Sequence, residues 1–244
     1  MADQVRAGGI AIIDFGSQVT QLIARRVREA SVYSEIFPPA VTAAQLERLA
    51  PRGVILSGGP ASVYERGAPQ LPPCLKLSPY PVLGICYGMQ LLAHELGGRV
   101  LRSAKREYGP AILRRTAASP LLDGLPPRTR VWMSHGDSVN ATPPGCKTVG
   151  ATDNCPHAAM ADVAKRIYGV QFHPEVVHTE RGTEILRNFV FKVCGCKPAW
   201  TMAAYAKGAV ERIRQQTGKE RVLVAISGGV DSSVTAALVG KAVG

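Results

Sequence analysis

The sequence lacks the features that mark membrane proteins and secreted proteins. None of its apolar runs approaches the roughly 20 residues that a membrane-spanning helix needs. The start, residues 1–6, is polar and leads directly into an apolar run, so we expect no signal peptide. The six cysteines do not have the spacing of a disulfide framework, which is typical of a reduced protein. We therefore expect a cytoplasmic protein with no membrane partner.

Aromatic residues are also scarce, and this bears on the strongly basic charge. The formal net charge is +11, from 29 Lys and Arg residues against 18 Asp and Glu residues. Such a balance can indicate nucleic acid or phosphorylated ligands. Aromatic residues make up only 6% of the chain and do not alternate with the basic ones, as they do in single-strand binding surfaces. A solvated surface is the first interpretation and a partner-facing patch the second, and we expect no specific nucleic-acid partner.

The first hundred residues alternate between two hydrophobic periodicities. Apolar runs closed by glycine or proline are typical of parallel strands that are buried on both faces. Between them lie segments with one apolar face at helical spacing. This order predicts a doubly wound α/β sheet. The predicted strands are 10–16, 32–37, 53–57 and the run from 81, and the predicted helices are 17–30, 43–49 and the segment that ends at the glycines 97 and 98.

The next hundred residues change pattern. Short apolar segments are joined by turns rich in proline and glycine, which predicts antiparallel or mixed additions to the sheet. A helix is predicted over 179–193. The predicted short strands are 111–115, 131–135, 147–152, 158–161 and 167–172.

A boundary is predicted after residue 197. Beyond it come a helix over 200–216, a strand over 221–226, a glycine-rich loop and part of another helix. These pieces are too few to bury a core, so we expect one complete domain, 1–197, and the opening of a second, 198–244. Cys194 and Cys196 precede the boundary, but no second ligand pair with zinc spacing accompanies them, so we predict no metal site.

The chemistry is expected at a cysteine between a strand and a helix. Gly84, Cys86 and Gly88 form G-x-C-x-G, the cysteine version of a nucleophile elbow. The glycines let strand and helix fold closely together, and the helix dipole favours the thiolate of Cys86. An inert buried cysteine is nearly as good an interpretation of this motif alone.

Two groups further along the chain favour the nucleophile. Alternation puts His173 and Glu175 on the same side of an extended segment, so Glu175 can hold one imidazole nitrogen while the other faces Cys86. An oxyanion also needs amide donors. We assign the backbone N–H groups of Gly59 and Tyr87 to that role.

These motifs resemble those of the class I glutamine amidotransferases. The resemblance is carried, in order, by residues 58–60, 84–90 and 173–175. It implies a flavodoxin-like sheet and hydrolysis of glutamine through a thioester on Cys86, with ammonia passed to a synthase site. It also implies that the backbone of Tyr87 and the side chain of Gln90 hold the substrate glutamine. The residues implied for its amino-acid end are Ser134, Gly136 and Asp137, with His135 lining the loop and not serving as the base.

The glycine-rich loop over residues 227–233 resembles the pyrophosphate loop of N-type ATP pyrophosphatases. Its small residues would expose backbone donors to phosphates at the start of a helix. The resemblance implies ATP and Mg²⁺ as cofactors of a complete enzyme that adenylates its substrate, with none tightly bound by this chain. It leaves a homodimer of the longer enzyme open. The residues are Ser227, Gly228, Gly229, Val230, Asp231, Ser232 and Ser233.

Other functions remain open on sequence grounds. The elbow also suits an amidotransferase of anthranilate or carbamoyl-phosphate synthesis, or a γ-glutamyl peptidase or hydrolase, although none of these needs the loop 227–233. A module that acts only by docking would not need Cys86, His173 and Glu175 together.

Overall fold

A computed structural model describes residues 8–76 and 79–244, except for the side chains of residues 104 and 105. The polar start, residues 1–6, lies outside the described residues. No helix in the described part is long and apolar enough to cross a membrane.

Nine strands in the described residues form one mixed sheet, with helices on both of its faces. The strand order is β2-β1-β3-β4-β9-β8-β7-β5-β6. The strands are β1 Ile10–Ile13, β2 Ser34–Phe37, β3 Gly53–Leu56, β4 Val82–Ile85, β5 Arg99–Arg115, β6 Arg128–Ala141, β7 Lys147–Ala151, β8 Ala159–Asp162 and β9 Ile167–Val170. The α-helices are α1 Thr20–Glu29, α2 Ala43–Leu49, α3 Tyr87–Glu95, α4 Gly182–Arg187, which continues as a π-helix over Asn188–Val193, α5 Met202–Thr217 and α6 Val230–Val243.

The parallel half of the sheet runs from β2 to β9. Every residue of β1, β3 and β4 is buried, which explains why these strands read as continuous apolar runs. One face carries α1 and α4, whose residues Ile23 and Ile185 belong to the same core cluster. The other face carries α2 and α3, which contribute Leu46 and Met89. The predicted α/β fold with a mixed sheet is confirmed.

The antiparallel half differs from the prediction in strand length. The short strands expected over 111–115 and 131–135 were wrong, because each is the end of a long strand, 17 residues in β5 and 14 in β6. The two strands pair with each other from Arg114↔Arg128 to Arg99↔Ala141. Most of β5 has only β6 as a neighbour, since its pairing with β7 is confined to Arg114 and Arg115. Such an edge position tolerates Pro110 within the strand.

The β5–β6 ladder contains an irregularity that shapes one wall of the site. Pairing passes from Arg102↔Asp137 directly to Glu107↔His135, so residues 103–106 stand opposite Gly136 alone. Bulges of this kind re-aim side chains next to functional sites.

The chain after residue 197 forms helices but not the predicted strand. Helix α5 agrees with the prediction for 200–216, and Arg214 donates hydrogen bonds from Nε to the Ala242 carbonyl and from a terminal nitrogen to the Lys241 carbonyl, both at 2.9 Å. The strand expected over 221–226 was wrong, since this segment is irregular and Leu223 is 98% exposed. A strand needs a partner for its backbone hydrogen bonds, and none lies beside this segment in the described residues. The division into 1–197 and 198–244 stays a prediction.

Candidate active site

Cys86 lies at a strained turn between β4 and α3. Its backbone has φ 51° and ψ −107°, in a region that side-chain-bearing residues rarely occupy. Both flanking glycines are required by close backbone approach. A Cβ on Gly84 would lie 2.5 Å from the Gly88 carbonyl oxygen, and one on Gly88 would lie 2.4 Å from that of Leu56. This is the geometry that the G-x-C-x-G motif predicts.

The Cys86 sulfur has polar neighbours from two other strands or their ends. It lies 3.6 Å from the Ser134 carbonyl oxygen and accepts a hydrogen bond from the Gln171 side-chain amide at 3.7 Å. Only 5% of the residue is exposed, yet it lines a cleft of about 890 Å³. The amino end of α3 begins at the next residue and favours a negative charge on the sulfur.

His173 and Glu175 form a buried pair beside this cysteine. The His173 Nδ1–H donates to Glu175 Oε1 at 2.8 Å, and the ring lies beside Cys86. Burial, the largest single influence, lowers the pKa of His173. Its hydrogen bonds and charge interactions with Cys86 and Glu175 outweigh burial and raise the pKa to about 10. The imidazolium form of His173 therefore prevails at neutral pH, and its positive charge lies next to the Cys86 sulfur.

Glu175 is buried so that only part of its hydrogen-bonding capacity is used. The residue is 1% exposed, and among the described residues its Oε2 has no hydrogen-bond partner. Its backbone carbonyl accepts from Arg26 Nε at 3.2 Å, which ties the segment to α1. The carboxylate thus has one close partner, the imidazole of His173.

Of the two residues assigned to the oxyanion hole, one lines the cleft and the other follows Cys86 in the chain. Gly59 lines the cleft, and a Cβ there would lie 2.7 Å from the Phe15 carbonyl oxygen. Tyr87 has a buried side chain whose hydroxyl donates to the Pro69 carbonyl at 2.5 Å, while its backbone nitrogen opens α3. Their role as donors to an oxyanion stays a prediction.

The residues assigned to glutamine binding all line the same cleft, namely Gln90, Ser134, Gly136 and Asp137. The side-chain amide of Gln90 donates to the Asp137 carbonyl at 2.8 Å and to Gln171 Oε1 at 3.2 Å. Asp137 Oδ2 accepts from the Ser62 hydroxyl at 2.5 Å. Both hydrogen bonds use the side-chain nitrogen of Gln90, so its side-chain oxygen Oε1 is the atom left to bind a ligand.

Sequence reasoning missed two polar groups near Cys86. Gln171 is fully buried and bridges Gln90 to Cys86, and the alternation that paired His173 with Glu175 also places Gln171 on that side. Glu107 contacts His135, which lies among the residues assigned to glutamine binding; these form part of strand β6 and not the expected loop. Its partner is 28 residues away, and only the register of β5 and β6 brings the two together.

The predicted phosphate loop lies apart from the residues that line the cleft. Ser227 Oγ is 3.1 Å from Ser232 Oγ, and the Ser233 hydroxyl donates to the Gly229 carbonyl at 2.9 Å. Gly228 has a positive φ of 82°, and α6 starts at Val230. All residues of the loop except Ser232 are exposed.

Within the described residues, one group of side chains has the composition of a metal site, and it does not include Cys194 or Cys196. It comprises Glu107, His135 and Cys155, whose ligand atoms lie within 4.8 Å of one another. Hydrogen bonds already engage the carboxylate and both imidazole nitrogens. Burial and the Glu107 charge raise the pKa of the Cys155 thiol to about 12, which opposes its ionisation. That the site needs no metal stays a prediction.

The fold and the cysteine elbow define the class of protein, and comparison with known families agrees. The chain belongs to the class I glutamine amidotransferases, whose family model, "Glutamine amidotransferase class-I", matches residues 11–193. Among solved structures, a putative GMP synthase subunit from Thermoplasma acidophilum is 29% identical with a TM-score of 0.69, over 78% of this chain and 94% of that one. A glutamine amidotransferase from Thermotoga maritima, 20% identical with a TM-score of 0.57 over 97% of this chain and 98% of that one, shares the fold.

Curated relatives narrow the similarity further. A GMP synthase [glutamine-hydrolyzing] from Thermomicrobium roseum is 57% identical over 96% of this chain and 44% of the relative. A second protein of that name, from Nitratidesulfovibrio vulgaris, is 56% identical over 96% of this chain and 46% of the relative. The chain therefore spans about half the length of the curated relatives that it matches.

Proposed function

We propose that this chain is the glutamine-hydrolysing part of a GMP synthetase. It would hydrolyse glutamine through a thioester on Cys86 and supply ammonia for the ATP-dependent amination of XMP to GMP, by way of an adenylyl-XMP intermediate, in a longer protein. The observation that carries the glutaminase half is that His173 hydrogen-bonds Glu175 and lies beside Cys86 at the wall of one cleft.

The geometry supports a two-step acyl transfer. The Cys86 thiolate attacks the side-chain carbonyl carbon of glutamine, and the oxyanion takes hydrogen bonds from the Gly59 and Tyr87 N–H groups. The C–N bond breaks as the His173 imidazolium gives its proton to the leaving nitrogen, which departs as ammonia. Water then attacks the thioester while His173 accepts its proton, and glutamate leaves as the thiolate is restored. Glu175 stabilises the imidazolium before the first transfer and after the second.

The cleft also supports binding of the amino-acid end of glutamine. The side-chain carbonyl oxygen of Gln90 and the β6 residues Ser134, Gly136 and Asp137 present acceptors and backbone donors at its wall. A γ-amide carbon placed at Cys86 would leave the ammonium and carboxylate of the substrate to this segment of β6.

The segment after residue 197 supports the assignment to GMP synthetase over other amidotransferases. An amidotransferase domain followed directly by the loop 227–233 is the arrangement of that enzyme, and residues 106–109 and 173–179 also resemble it. The loop fits phosphate groups, since small residues expose backbone N–H groups where α6 begins. ATP would be held by this loop together with residues of the longer protein. Asp231 is the acidic residue of the loop and would be its contribution to Mg²⁺ binding. The XMP site would lie outside this chain.

Replacement of the nucleophile tests the proposal. Cys86→Ala should abolish glutamine hydrolysis and the acyl-enzyme seen by mass spectrometry, while Cys74→Ala, a half-buried cysteine outside the cleft, should leave both intact. In the longer protein, Cys86→Ala should still make GMP from free ammonia, because ammonia bypasses the thioester. Equal loss of ammonia-driven synthesis in a folded variant would refute this division of labour.

The chain of 244 residues should show at most weak glutaminase activity by itself. We expect no GMP formation and no binding of Mg-ATP by calorimetry, because the exposed loop 227–233 would have to be ordered at about 1–2 kcal/mol per residue with few contacts in return. Micromolar ATP binding, or hydrolysis stimulated by ATP and XMP, would contradict this expectation.

A further inference from the structure

A buried carboxylate–imidazole pair stands behind the wall of the cleft, outside the series that contains Cys86. Glu107 and His135 face each other where the β5–β6 ladder resumes after its irregularity. The His135 Nε2 lies 3.2 Å from Glu107 Oε2, and its Nδ1 lies 2.9 Å from the Asp137 carbonyl oxygen. His135 is 4% exposed and Glu107 9%.

The two groups that face the His135 ring nitrogens are the Asp137 carbonyl and the Glu107 carboxylate. An unprotonated carboxylate and a carbonyl can both only accept hydrogen bonds. A carbonyl oxygen cannot donate, so Nδ1 must carry a hydrogen toward Asp137. Nε2 of that neutral tautomer has only a lone pair, and so has an ionised Glu107 carboxylate. The 3.2 Å contact therefore needs one shared proton, either on Nε2 or on the carboxyl group. The other oxygen, Glu107 Oε1, accepts from the Asn154 amide at 3.3 Å.

The carbonyl that His135 holds is also the one that orients the glutamine site. The Asp137 carbonyl accepts from the Gln90 amide at 2.8 Å as well as from His135. Gln90 in turn donates to Gln171, whose amide reaches the Cys86 sulfur. A continuous set of hydrogen bonds thus runs from Glu107 to the nucleophile.

We propose that Glu107 is a positioning residue for glutamine, and that the proton it shares with His135 fixes the Asp137 carbonyl and the segment of β6 around it. This inference rests on the proposed glutaminase function. Glu107 acts through His135 and does not touch the substrate. When the shared proton is lost at higher pH, a carboxylate faces a lone pair, the contact becomes repulsive, and this segment of β6 is no longer held in place.

The surroundings favour the neutral form of the His135 ring. Burial lowers the pKa of His135 below its ordinary value, and this outweighs the opposing effect of Glu107, while the charge of His173 lowers it further. The titratable group that faces Glu107 from the turn after β7 is the Cys155 thiol, and the polar groups there, Thr152 and Asn154, are uncharged.

Two substitutions at Glu107 separate positioning from mere structural support. In Glu107→Gln the amide N–H can donate to Nε2 without a shared proton. This variant should keep the neutral-pH KM for glutamine and lose the rise of KM with pH that we expect of the unmodified chain. Glu107→Leu leaves Nε2 unpaired, so KM should rise about tenfold at every pH, with a smaller change in kcat. Glu211→Gln, an exposed carboxylate on α5, is the matched control. The proposal is overturned if Glu107→Gln keeps the alkaline rise, or if a folded Glu107→Leu has an unchanged KM.

Nuclear magnetic resonance of the ¹⁵N-labelled histidines tests the shared proton without any turnover. We expect His135 Nδ1 to stay protonated throughout, and the Nε2 shift to titrate in the unmodified chain but not in Glu107→Gln. A chain with no glutaminase activity but this titration would refute the proposed function and leave the proton pair standing. Full activity without the titration would refute the pair alone.

Discussion

Glu175→Gln isolates the contribution of one buried negative charge to the nucleophile. The side chain is fully buried, and the amide oxygen of glutamine can still accept the 2.8 Å hydrogen bond from His173 Nδ1. What is lost is the charge that helps to raise the pKa of His173 to about 10, so that pKa should fall toward its ordinary value near 6.5. Less imidazolium would then be available to protonate the departing ammonia.

The expected loss in kcat is about 10²-fold to 10³-fold. The corresponding change in a serine protease costs about 10⁴-fold, but a thiolate already favoured by a helix amino end depends less on its base. KM for glutamine should hardly change, because Glu175 is not among the residues that line the cleft. Glutamate release would be measured beside the His173 titration, with Glu180→Gln, a half-exposed carboxylate bound to Arg130, as control. Unchanged turnover in Glu175→Gln would remove this residue from the catalytic series.

Two further outcomes follow from the geometry of the site. Gly88→Ala should destabilise the chain by about 1–3 kcal/mol in denaturant unfolding and abolish hydrolysis, since the new Cβ would lie 2.4 Å from the Leu56 carbonyl oxygen. The control is Gly240→Ala in α6, where a Cβ meets nothing within 4 Å, and this variant should be neutral or stabilising. Equal stability of the two variants would show that the elbow can relax. The raised pKa of His173 stabilises the fold fully below pH 6.5, and this contribution is lost as the pH rises through about 10. The difference in unfolding free energy between the unmodified chain and His173→Gln should therefore shrink across that window, and a constant difference would contradict the raised pKa.

The parts of the fold that local sequence determines could be predicted. Strands β1, β3 and β4 are buried on both faces, so their apolar runs identify them without knowledge of their neighbours. The elbow is equally local, because Gly84 and Gly88 are required by contacts within the strands, the turn and the helix that meet there.

The parts that depend on a distant partner could not be predicted. The full length of β5 and β6 is set by their mutual pairing, and this pairing continues through Gly109 and Pro110 of β5. The segment 221–226 has the composition of a strand, but a strand forms only against another. The Glu107–His135 contact likewise depends on the register of two strands and has no signature in either one.

The position of β4 in the sheet has a consequence for how the protein is made. Cys86 follows β4, whose neighbour on one side is β9, so Val82 pairs with Ile167 across some 85 residues of sequence. The whole antiparallel half, including the β5–β6 hairpin, lies between the nucleophile and His173. Contacts of such wide separation form late, because the intervening chain must be closed into a loop first. During synthesis Cys86 therefore emerges well before His173, and the two residues come together only when β9 docks.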